Sequence, residues 1–359
     1  MRIIIVSTSI GHLGSGKGGG VELTLNSLVF GLLNKGHYVK VIAPDQSQLS
    51  EICNSAELIC VKGREQTSWQ HLDYYASAET SQDSIVNALI DKALSISNNY
   101  DLIINLSYDL QPIARTFVSE VPIAHLISMG NESYSIRNEI ERVYSKFPNN
   151  FAFHTGIQAS DFPFIENPII VGNGFQLDNY TFCDESDGPL GWVGRVSPEK
   201  GLEDALYVAN ELQEKLNVWG YIEDEKYALK LENLDSGGLL SWRGFLKTSR
   251  LQEELCHCRA LINTPKWNEA YGNVVVEAMA CGVPVVAYRR GGPSEIINHG
   301  LTGFLVDPDN KDELVKYLKK INLIDRQQCR SWVENNASSN IFADKIENWL
   351  QKIIANLNN

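Results

Sequence analysis

Short apolar runs alternate with longer stretches of helical spacing through the first half of the chain. The run at 2–7 is apolar and β-branched with no polar alternation, which is typical of a strand buried on both faces. In the stretch 84–97, apolar residues recur at the spacing of one helix face: Ile85, Leu89, Ala93 and Ile96. We predict further strands at 38–43, 101–106 and 122–127, and a further helix at 21–33. This alternation predicts a parallel sheet covered by helices on both faces.

The alternation stops in a segment rich in glycine, proline and acidic residues, and then begins again. We predict an interdomain linker at this segment, 171–189, because its composition is that of turns and loops. The second series has predicted strands at 190–196, 216–220 and 259–264 and a helix at 201–215. A helix–turn–strand unit at 273–287 follows, in which Gly282 and Pro284 end the helix.

These patterns predict the domain organisation. A chain of 359 residues is longer than one hydrophobic core usually supports. The predicted fold class is α/β, with two Rossmann-like, doubly wound domains that face each other across a cleft. The predicted bounds are 1–170 for the first domain, 171–189 for the linker, 190–335 for the second domain and 336–359 for a helix that packs back on the body. Ligands of such sheets bind beyond the carboxyl ends of the strands, which places the expected site in the cleft.

Charge and composition argue against several classes of partner. The net charge of −13 disfavours a surface for nucleic acid or anionic membrane, because either would need a basic patch. No apolar run is long enough to span a membrane, and the apolar residues before Ser7 are too few for a signal peptide. We therefore expect a cytoplasmic protein without nucleic-acid or membrane partners. The oligomeric state stays open.

The segment 265–295 holds the most informative chemistry. We predict that Glu269 lies in a loop and that Asn273 caps a helix whose first turn contains Glu277. A helix start offers free N–H groups and a positive dipole end to a phosphate. Two carboxylates beside such a site suit a nucleotide-sugar, because they can accept hydrogen bonds from hydroxyls on both sides of a diphosphate. An unrelated loop glutamate and a solvated glutamate near a helix start are the alternative.

Residues 269–286 resemble the donor-site signature of the family-4 glycosyltransferases, which have the GT-B fold. Three other segments resemble parts of the same family: 171–180 its domain junction, 194–201 its phosphate-binding segment and 300–308 a characteristic loop. The resemblance covers most of 170–310. It implies a retaining, metal-independent hexosyltransferase that moves a sugar from a nucleotide-sugar donor to an acceptor.

The resemblance also implies a role for each matching residue. Glu277 would bind the ribose hydroxyls of the donor, and Glu269 would contact the transferred sugar. Arg195 and Lys200 would neutralise the diphosphate, and we expect both to be exposed in the empty site; a solvent-facing pair is the alternative. Arg243 lies where the family recognises the nucleotide base. The sugar hydroxyls and the β-phosphate would be held by the backbone around Ala270, Tyr271, Gly272 and Asn273.

A glycine-rich loop at 11–20 precedes the first predicted helix. It nearly matches the phosphate loop of nucleoside triphosphatases, but Gly18 stands where that motif needs a serine or threonine to bind magnesium. We interpret the loop as a close backbone approach to the donor diphosphate, as in the family it resembles; a surface loop without a ligand is the alternative. The residues expected to make this approach are Gly18, Gly19 and Gly20.

His125 ends an apolar predicted strand. The family places a histidine after a comparable strand near the reacting carbon, which implies that His125 contacts the sugar or the acceptor and takes part in catalysis. A satisfied core histidine is the alternative. The other residues that we expect in the acceptor pocket are Gly14, Ser15, Ser128 and Asn131.

The segment 6–25 resembles the start of the pteridine glycosyltransferases of cyanobacteria. This second resemblance implies UDP-glucose as the donor and a reduced pterin, tetrahydrobiopterin, as the small-molecule acceptor. Three alternatives stay open. One is a family-4 transferase that acts on another sugar or lipid acceptor, and another is a nucleotide-sugar epimerase of the same fold. The third is a catalytically silent subunit that binds a nucleotide-sugar.

We expect neither a metal nor a cofactor. The sequence Asp307-Pro308-Asp309 spells the Asp-x-Asp pattern of metal-dependent transferases of another fold, but proline and aspartate also favour a turn. Seven cysteines without framework spacing indicate reduced thiols. The stretch 256–258, Cys-His-Cys, has no second ligand pair at zinc spacing, so a packed helix is the favoured interpretation there.

Overall fold

The computed structural model describes residues 1–78 and 80–357. The chain divides into two compact units. The first comprises residues 1–174 together with the residues from Ser339 onward, and the second runs from Phe175 to Ser338. No helix among the described residues is long and apolar enough to cross a membrane.

The first unit contains, within its described residues, a sheet of seven parallel strands in the order β3-β2-β1-β4-β5-β6-β7. Its strands are β1 Arg2–Val6, β2 Tyr38–Pro44, β3 Glu57–Val61, β4 Leu102–Asn105, β5 Ile123–Ile127, β6 Phe151–Phe153 and β7 Ile169–Ile170. Its helices up to this point are α1 Gly20–Asn34, α2 Ile85–Ser95, α3 Leu110–Ala114, α4 Tyr134–Tyr144 and α5 Gly156–Ser160. The order reverses at β1, and in such sheets ligands bind beyond the carboxyl ends of the strands near the reversal.

The central strands of this sheet are buried on both faces, as their unbroken apolar sequences predict. All of β4 and β5 is buried, and so is β1 beyond Arg2. Helix α2 buries one face through Ile85, Leu89 and Ala93. Its start is capped by Ser84, whose Oγ accepts a hydrogen bond from the Asn87 N–H at 3.3 Å.

The second unit repeats the same architecture with a parallel sheet of six described strands, in the order β10-β9-β8-β11-β12-β13. The strands are β8 Leu190–Val193, β9 Leu216–Trp219, β10 Leu240–Gly244, β11 Ala260–Asn263, β12 Val285–Tyr288 and β13 Gly303–Val306. The helices are α6 Leu202–Leu212, α7 Glu225–Leu234, α8 Thr248–Leu255, α9 Asn273–Ala280, α10 Pro293–Ile296, α11 Lys311–Leu318 and α12 Arg326–Asn336. Strands β8 and β11 are neighbours at the reversal of order, so the loops after them meet at one edge of the sheet.

The last helix, α13 Ser339–Leu357, belongs to the first unit and packs on α1. The two helices approach closely at Gly31, where an added Cβ would lie 2.7 Å from the Ala343 Cβ. Phe342, Ile346 and Trp349 of α13 are buried in the core cluster that also contains α1. Each fully buried side chain of this size contributes about 1.5–3 kcal/mol, which fixes the helix to the unit.

The boundary between the units differs from the predicted linker at 171–189. Val171 and Asn173 are buried in the first unit, whereas Phe175 and Tyr180 are buried in the second. The chain therefore passes from one unit to the other between positions 174 and 175. The predicted linker was too long because it was inferred from the glycine, proline and acidic residues of the segment. The apolar side chains that pack into each unit were not taken into account.

Candidate functional site

Lys200 and Glu269 form an ion pair at the ligand-binding edge of the second sheet. Lys200 lies in the turn after β8, and Glu269 lies in the loop after β11. The Lys200 Nζ is 2.5 Å from the Glu269 Oε1. The Trp267 ring packs against the pair, with the lysine Nζ 4.9 Å from its centroid and its Nε1 3.4 Å from the same carboxylate oxygen. Two residues that the sequence proposed from distant segments thus meet in the fold.

Arg195 lies at the same edge, directly after β8. Its Nη1 donates to both oxygens of Glu223 at 2.9 and 2.7 Å, and its Nη2 donates to Glu199 Oε1 at 3.3 Å. The guanidinium is therefore held by carboxylates of the chain in the ligand-free protein. A bound diphosphate would have to share the guanidinium with Glu223 and Glu199, which sequence reasoning had not identified.

Helix α9 begins beside this group of charges. Gly272 precedes the helix with φ 94°, and an added Cβ there would lie 2.9 Å from the Pro293 Cγ. The Gly292 N–H donates to the Glu269 carbonyl oxygen at 2.7 Å, which ties the loop of Glu269 to the segment after β12. Ala270, Tyr271 and Gly272 lead from Glu269 into the helix, and Asn273 is its first residue. Their contacts with the sugar hydroxyls and the β-phosphate stay a prediction.

Two details at this helix correct the sequence prediction. Asn273 is the first helical residue and not the cap, which is Gly272. The helix therefore starts where predicted, but Glu277 lies in its second turn and not in the first. The prediction placed the cap one residue too late because asparagine is a favoured capping residue and stands directly after Gly272. In the structure Gly272, in the left-handed conformation, takes the cap position without a side-chain hydrogen bond.

Glu277 is almost completely buried, with 7% of its surface exposed. Burial raises the pKa of its carboxyl to about 7, because no positive charge compensates for the lost hydration. The Gln252 Nε2 lies 3.4 Å from its Oε1. A buried carboxyl with a strongly shifted pKa is typical of a binding or catalytic position.

The other polar groups at this edge are Asn263 and Arg243. Asn263 ends β11, and its buried Oδ1 has no hydrogen-bond partner among the described residues. Such an orphan acceptor at the carboxyl end of a strand calls for an explanation, and a ligand supplies one. Arg243 lies in β10 and donates to Glu254 Oε2 at 3.1 and 3.2 Å. Its side chain is 45% exposed, so it could still turn toward a base.

The Asp-x-Asp pattern forms a turn, as the sequence indicated. Asp309 has φ 67° and lies between two cations. The Lys266 Nζ and the Arg290 Nη2 each lie 2.8 Å from one of its oxygens. Both cations hold the pKa of the Asp309 carboxyl below its usual value. Its oxygens are thus engaged by the chain itself.

The glycine-rich loop of the first unit is hydrogen-bonded to a glutamate side chain of the same chain. The carboxylate of Glu22, in the first turn of α1, accepts hydrogen bonds from the Gly14 N–H at 2.8 Å and the Gly18 N–H at 3.0 Å. The Ser15 hydroxyl also donates to it at 3.4 Å. The Gly19 N–H donates to the Gly16 carbonyl. In this conformation the N–H groups of Gly18 and Gly19 are therefore bonded to the chain's own carboxylate and carbonyl. The close backbone approach of Gly18, Gly19 and Gly20 to the donor diphosphate stays a prediction. Gly20 begins α1 itself.

His125 is a core residue in the structure. It lies inside β5 with no exposed surface, and its ring stacks on Phe151. Its Nδ1 is 3.1 Å from the Asn105 Nδ2, and its Nε2 is 2.8 Å from the Thr116 Oγ1. Burial lowers the pKa of the imidazole to about 3, so the ring is neutral. This geometry contradicts the predicted contact with the sugar or acceptor and agrees with the alternative of a satisfied core histidine.

A polar group beyond β4 was missed by the sequence analysis. Asp109 caps α3, is fully buried, and accepts hydrogen bonds from Gln66 and from the Trp69 Nε1. Burial raises the pKa of its carboxyl. The hydroxyl of Ser107 is buried and has no partner among the described residues. The signal that could have revealed this group is the sequence Ser-Tyr-Asp directly after a buried strand.

The remaining acceptor candidates lie beyond the next strand of the same sheet. Ser128 and Asn131 follow β5. The Asn131 Oδ1 accepts a hydrogen bond from the Tyr74 hydroxyl at 3.2 Å. Glu132 is largely buried, and the lost hydration together with nearby Asp161 raises the pKa of its carboxyl. The carboxyl ends of β4 and β5 therefore present carboxyl, amide and hydroxyl groups at one edge.

Comparison with known structures defines the fold class. HepE of Anabaena, solved in complex with UDP-glucose, is 17% identical with a TM-score of 0.75, and the match covers 98% of this chain and 100% of that chain. Sucrose-phosphate synthase of Thermosynechococcus elongatus is 15% identical with a TM-score of 0.82, covering 99% of this chain and 100% of that chain. The two parallel-sheet α/β units are those of the GT-B fold.

Sequence comparison finds a family match within the second unit. Residues 184–339 match the family model described as "Glycosyl transferases group 1". Sucrose synthase 6 of Arabidopsis thaliana is 31% identical over 164 residues, which are 42% of this chain and 16% of that protein. The chain thus matches only a small part of the length of this curated relative.

Proposed function

We propose that this chain is a glycosyltransferase that binds a nucleotide-sugar in its second unit and transfers the sugar to a small-molecule acceptor bound by its first unit. The observation that carries the proposal is the Lys200–Glu269 ion pair beside the loop that leads into α9, with Arg195 at the same edge of the sheet after β8. The match of residues 184–339 to the group 1 glycosyl transferases supports it independently.

The charges at this edge suit the departure of a nucleoside diphosphate. As the glycosidic bond breaks, negative charge grows on the leaving phosphate. Lys200, Arg195 and the positive dipole end at the start of α9 supply positive potential where that charge develops. Glu269 would accept hydrogen bonds from sugar hydroxyls, and Glu277 would accept them from the ribose. Transfer by this arrangement needs no metal, and we propose retention of the donor's configuration on the resemblance to family 4.

For the donor and the acceptor we propose UDP-glucose and a reduced pterin such as tetrahydrobiopterin. UDP-glucose is supported by the ligand of the HepE complex, a protein of the same fold. The pterin rests on the likeness of residues 6–25 to the pteridine glycosyltransferases. A flat, polar ring would suit a pocket that offers a few placed hydrogen bonds, and Asp109, Asn131 and Glu132 are groups of that kind.

The decisive experiment incubates the protein with UDP-glucose and a panel of pterins, simple sugars and lipids, followed by mass spectrometry of the products and assay of free UDP. We expect free UDP and a glucoside of tetrahydrobiopterin, with neither formed by Glu269→Gln. A glucoside of a sugar or lipid but of no pterin would discard the pterin while keeping the transferase. Conversion of UDP-glucose to another UDP-sugar without any acceptor would indicate an epimerase and overturn the proposal.

A second experiment tests the mechanism. The reaction is run in a chelator such as EDTA, and the anomeric configuration of the product is determined by NMR. We expect full activity and an α-linked product from the α-linked donor. Loss of activity that manganese restores would contradict the metal-free mechanism, and a β-linked product would contradict retention.

A further inference from the structure

Two cysteines and a histidine from separate segments meet in the second unit, away from the residues proposed to bind the donor. Cys183 precedes β8, while Cys256 and His257 follow α8. The two thiol sulfurs and a ring nitrogen of His257 all lie within 4.8 Å of one another. The sequence showed only the Cys-His-Cys run, which lacked a further ligand. The fold supplies that ligand from a position 73 residues earlier in the chain than Cys256.

The backbone at these ligands is held in place by the buried side chain of Arg326. Arg326 of α12 donates to the carbonyl oxygens of Cys183 at 2.8 Å, Cys256 at 2.7 Å and Cys258 at 3.0 Å. The Ser186 hydroxyl also donates to the carbonyl of His257. The two segments are therefore held together by contacts outside the ligand atoms, so the cluster is preorganised and need not be assembled by the ion.

The spacing and the chemistry of the cluster suit one soft metal ion. Tetrahedral zinc bonds thiolate sulfur at about 2.3 Å and imidazole nitrogen at about 2.0 Å, which places ligand atoms about 3.5–3.8 Å apart. Ligand atoms already within 4.8 Å need only small side-chain rotations to reach that geometry. His257 is exposed and Cys183 is half-buried, so an ion has access from solvent.

The surroundings favour a cation. A hollow next to Arg326 is lined by Asp184, Glu185 and Asp187, which directly follow Cys183. Their negative charge raises the local concentration of cations. Two thiols and one imidazole are the donor set that selects zinc-like ions over magnesium or calcium, which prefer oxygen.

We propose that Cys183, Cys256 and His257 bind one zinc-class divalent ion, with a solvent molecule in the fourth position. Binding releases the thiol protons to solvent and forms two metal–sulfur bonds and one metal–nitrogen bond, with no change of oxidation state. The site is independent of the proposed transfer reaction. The bound ion adds a further link between the segment before β8 and the end of α8, beside the contacts of Arg326 and Ser186.

The test uses the full chain, reduced and stripped of metal, and titrates it with Co²⁺, whose thiolate complexes absorb in the visible and near-ultraviolet. We expect thiolate charge-transfer bands that saturate at one equivalent and disappear when Zn²⁺ is added. Cys183→Ser and His257→Gln should each weaken binding by about tenfold or more, because each removes one of three ligands. Cys60→Ser removes an exposed thiol outside the cluster and should leave the titration unchanged.

The proposed site would be overturned if no thiolate bands formed, or if the bands persisted unchanged in Cys183→Ser. It would also be overturned if protein purified without reductant held a Cys183–Cys256 disulfide and did not bind the metal after reduction. Thermal unfolding of each variant checks that it is folded before titration. Because Cys183 and His257 are not core residues, both variants are expected to fold, and the readout does not depend on catalytic activity.

Discussion

The Lys200 Nζ lies 2.5 Å from the Glu269 Oε1, and neither side chain is open to solvent: 20% of the lysine and 10% of the glutamate is exposed. In the ligand-free protein the lysine and glutamate charges therefore neutralise each other in a largely desolvated environment. This corrects the expectation that Lys200 is solvent-exposed in the empty site. Lys200 therefore has a role in stability that can be separated from its proposed role in binding the donor.

Replacing Lys200 by alanine should reduce both turnover and stability. Turnover should fall about 10²-fold, as for the loss of one donor to a developing negative charge. The free energy of unfolding should fall by about 1–3 kcal/mol, because Glu269 is left buried without its cation. Arg195→Ala should lower turnover similarly but cost less than about 1 kcal/mol of stability, since its partners Glu199 and Glu223 are more exposed. UDP release and urea unfolding measure the two effects.

The controls for Lys200 separate its roles. Lys230→Ala removes an exposed lysine of α7 and should change neither quantity. In the double variant Lys200→Ala, Glu269→Gln the buried charge is gone, so stability should return toward the wild-type value while turnover stays low. Normal turnover in Lys200→Ala would mean that the diphosphate lies elsewhere, and a double variant no more stable than Lys200→Ala would refute the ion-pair explanation.

The pKa of Glu277 predicts a pH dependence of stability. Burial raises it from about 4.5 to about 7, so the folded state holds the proton more tightly than the unfolded state does. The resulting stabilisation is complete below pH 4.5 and is lost as pH rises through 7, by about 3 kcal/mol in total. Glu277→Gln cannot lose a proton, so its stability relative to wild type should rise between about pH 5 and pH 8. Denaturant unfolding across this range measures the difference, and a constant difference would contradict the raised pKa.

Much of the proposed donor site could be located from the sequence because its residues fall within contiguous motifs. Glu269, the backbone to Asn273, and Glu277 share one loop and helix, and spacing along the chain fixed their order. The partners of the cations could not be predicted in the same way. Glu223 comes from the segment after β9, and only the pairing of β9 with β8 brings it to Arg195. A sequence motif indicates the residues of a site, but it does not indicate the carboxylates that pair with its cations in the ligand-free protein.

Gly291 should be essential for the position of Glu269. It has φ 63°, and an added Cβ would lie 2.5 Å from the backbone N and O of Glu269. Gly300 offers a matched control, because it has φ 83° and nothing within 4 Å of an added Cβ. Both alanine variants carry the left-handed strain of about 1–2 kcal/mol. Only Gly291→Ala should displace Glu269 and lower turnover further, by about tenfold or more. Equal turnover in the two variants would show that the loop of Glu269 does not depend on this close approach.

Two candidates of the first unit have partners that the sequence analysis did not identify. The glycine-rich loop was expected to approach the donor diphosphate with its backbone, and in the structure Glu22 of the following helix turn accepts hydrogen bonds from the N–H groups of Gly14 and Gly18. His125 was expected to contact the sugar or the acceptor, but it lies inside β5 and is completely buried. The partner of the loop is local, because Glu22 is only four residues from Gly18. The environment of His125 is set by tertiary packing, because Phe151 of the neighbouring strand β6 stacks on its ring.

The buried position of His125 leads to a final prediction about its role. His125→Ala should lower the free energy of unfolding by about 2–4 kcal/mol, because it leaves a cavity beside Phe151 and removes the partners of Asn105 and Thr116. Turnover per folded molecule should stay within about threefold of wild type, since the ring reaches no surface where a substrate could bind. Unfolding in urea and turnover normalised to the folded fraction measure the two quantities, with exposed His71→Ala as a control that should change neither. A variant that keeps its stability but loses turnover by about 10²-fold would restore the catalytic interpretation of this histidine. A loss of stability with near-normal turnover would instead show that His125 has a structural role. Its neutral ring would then stabilise the first sheet through its contacts with Asn105 of β4 and with Thr116.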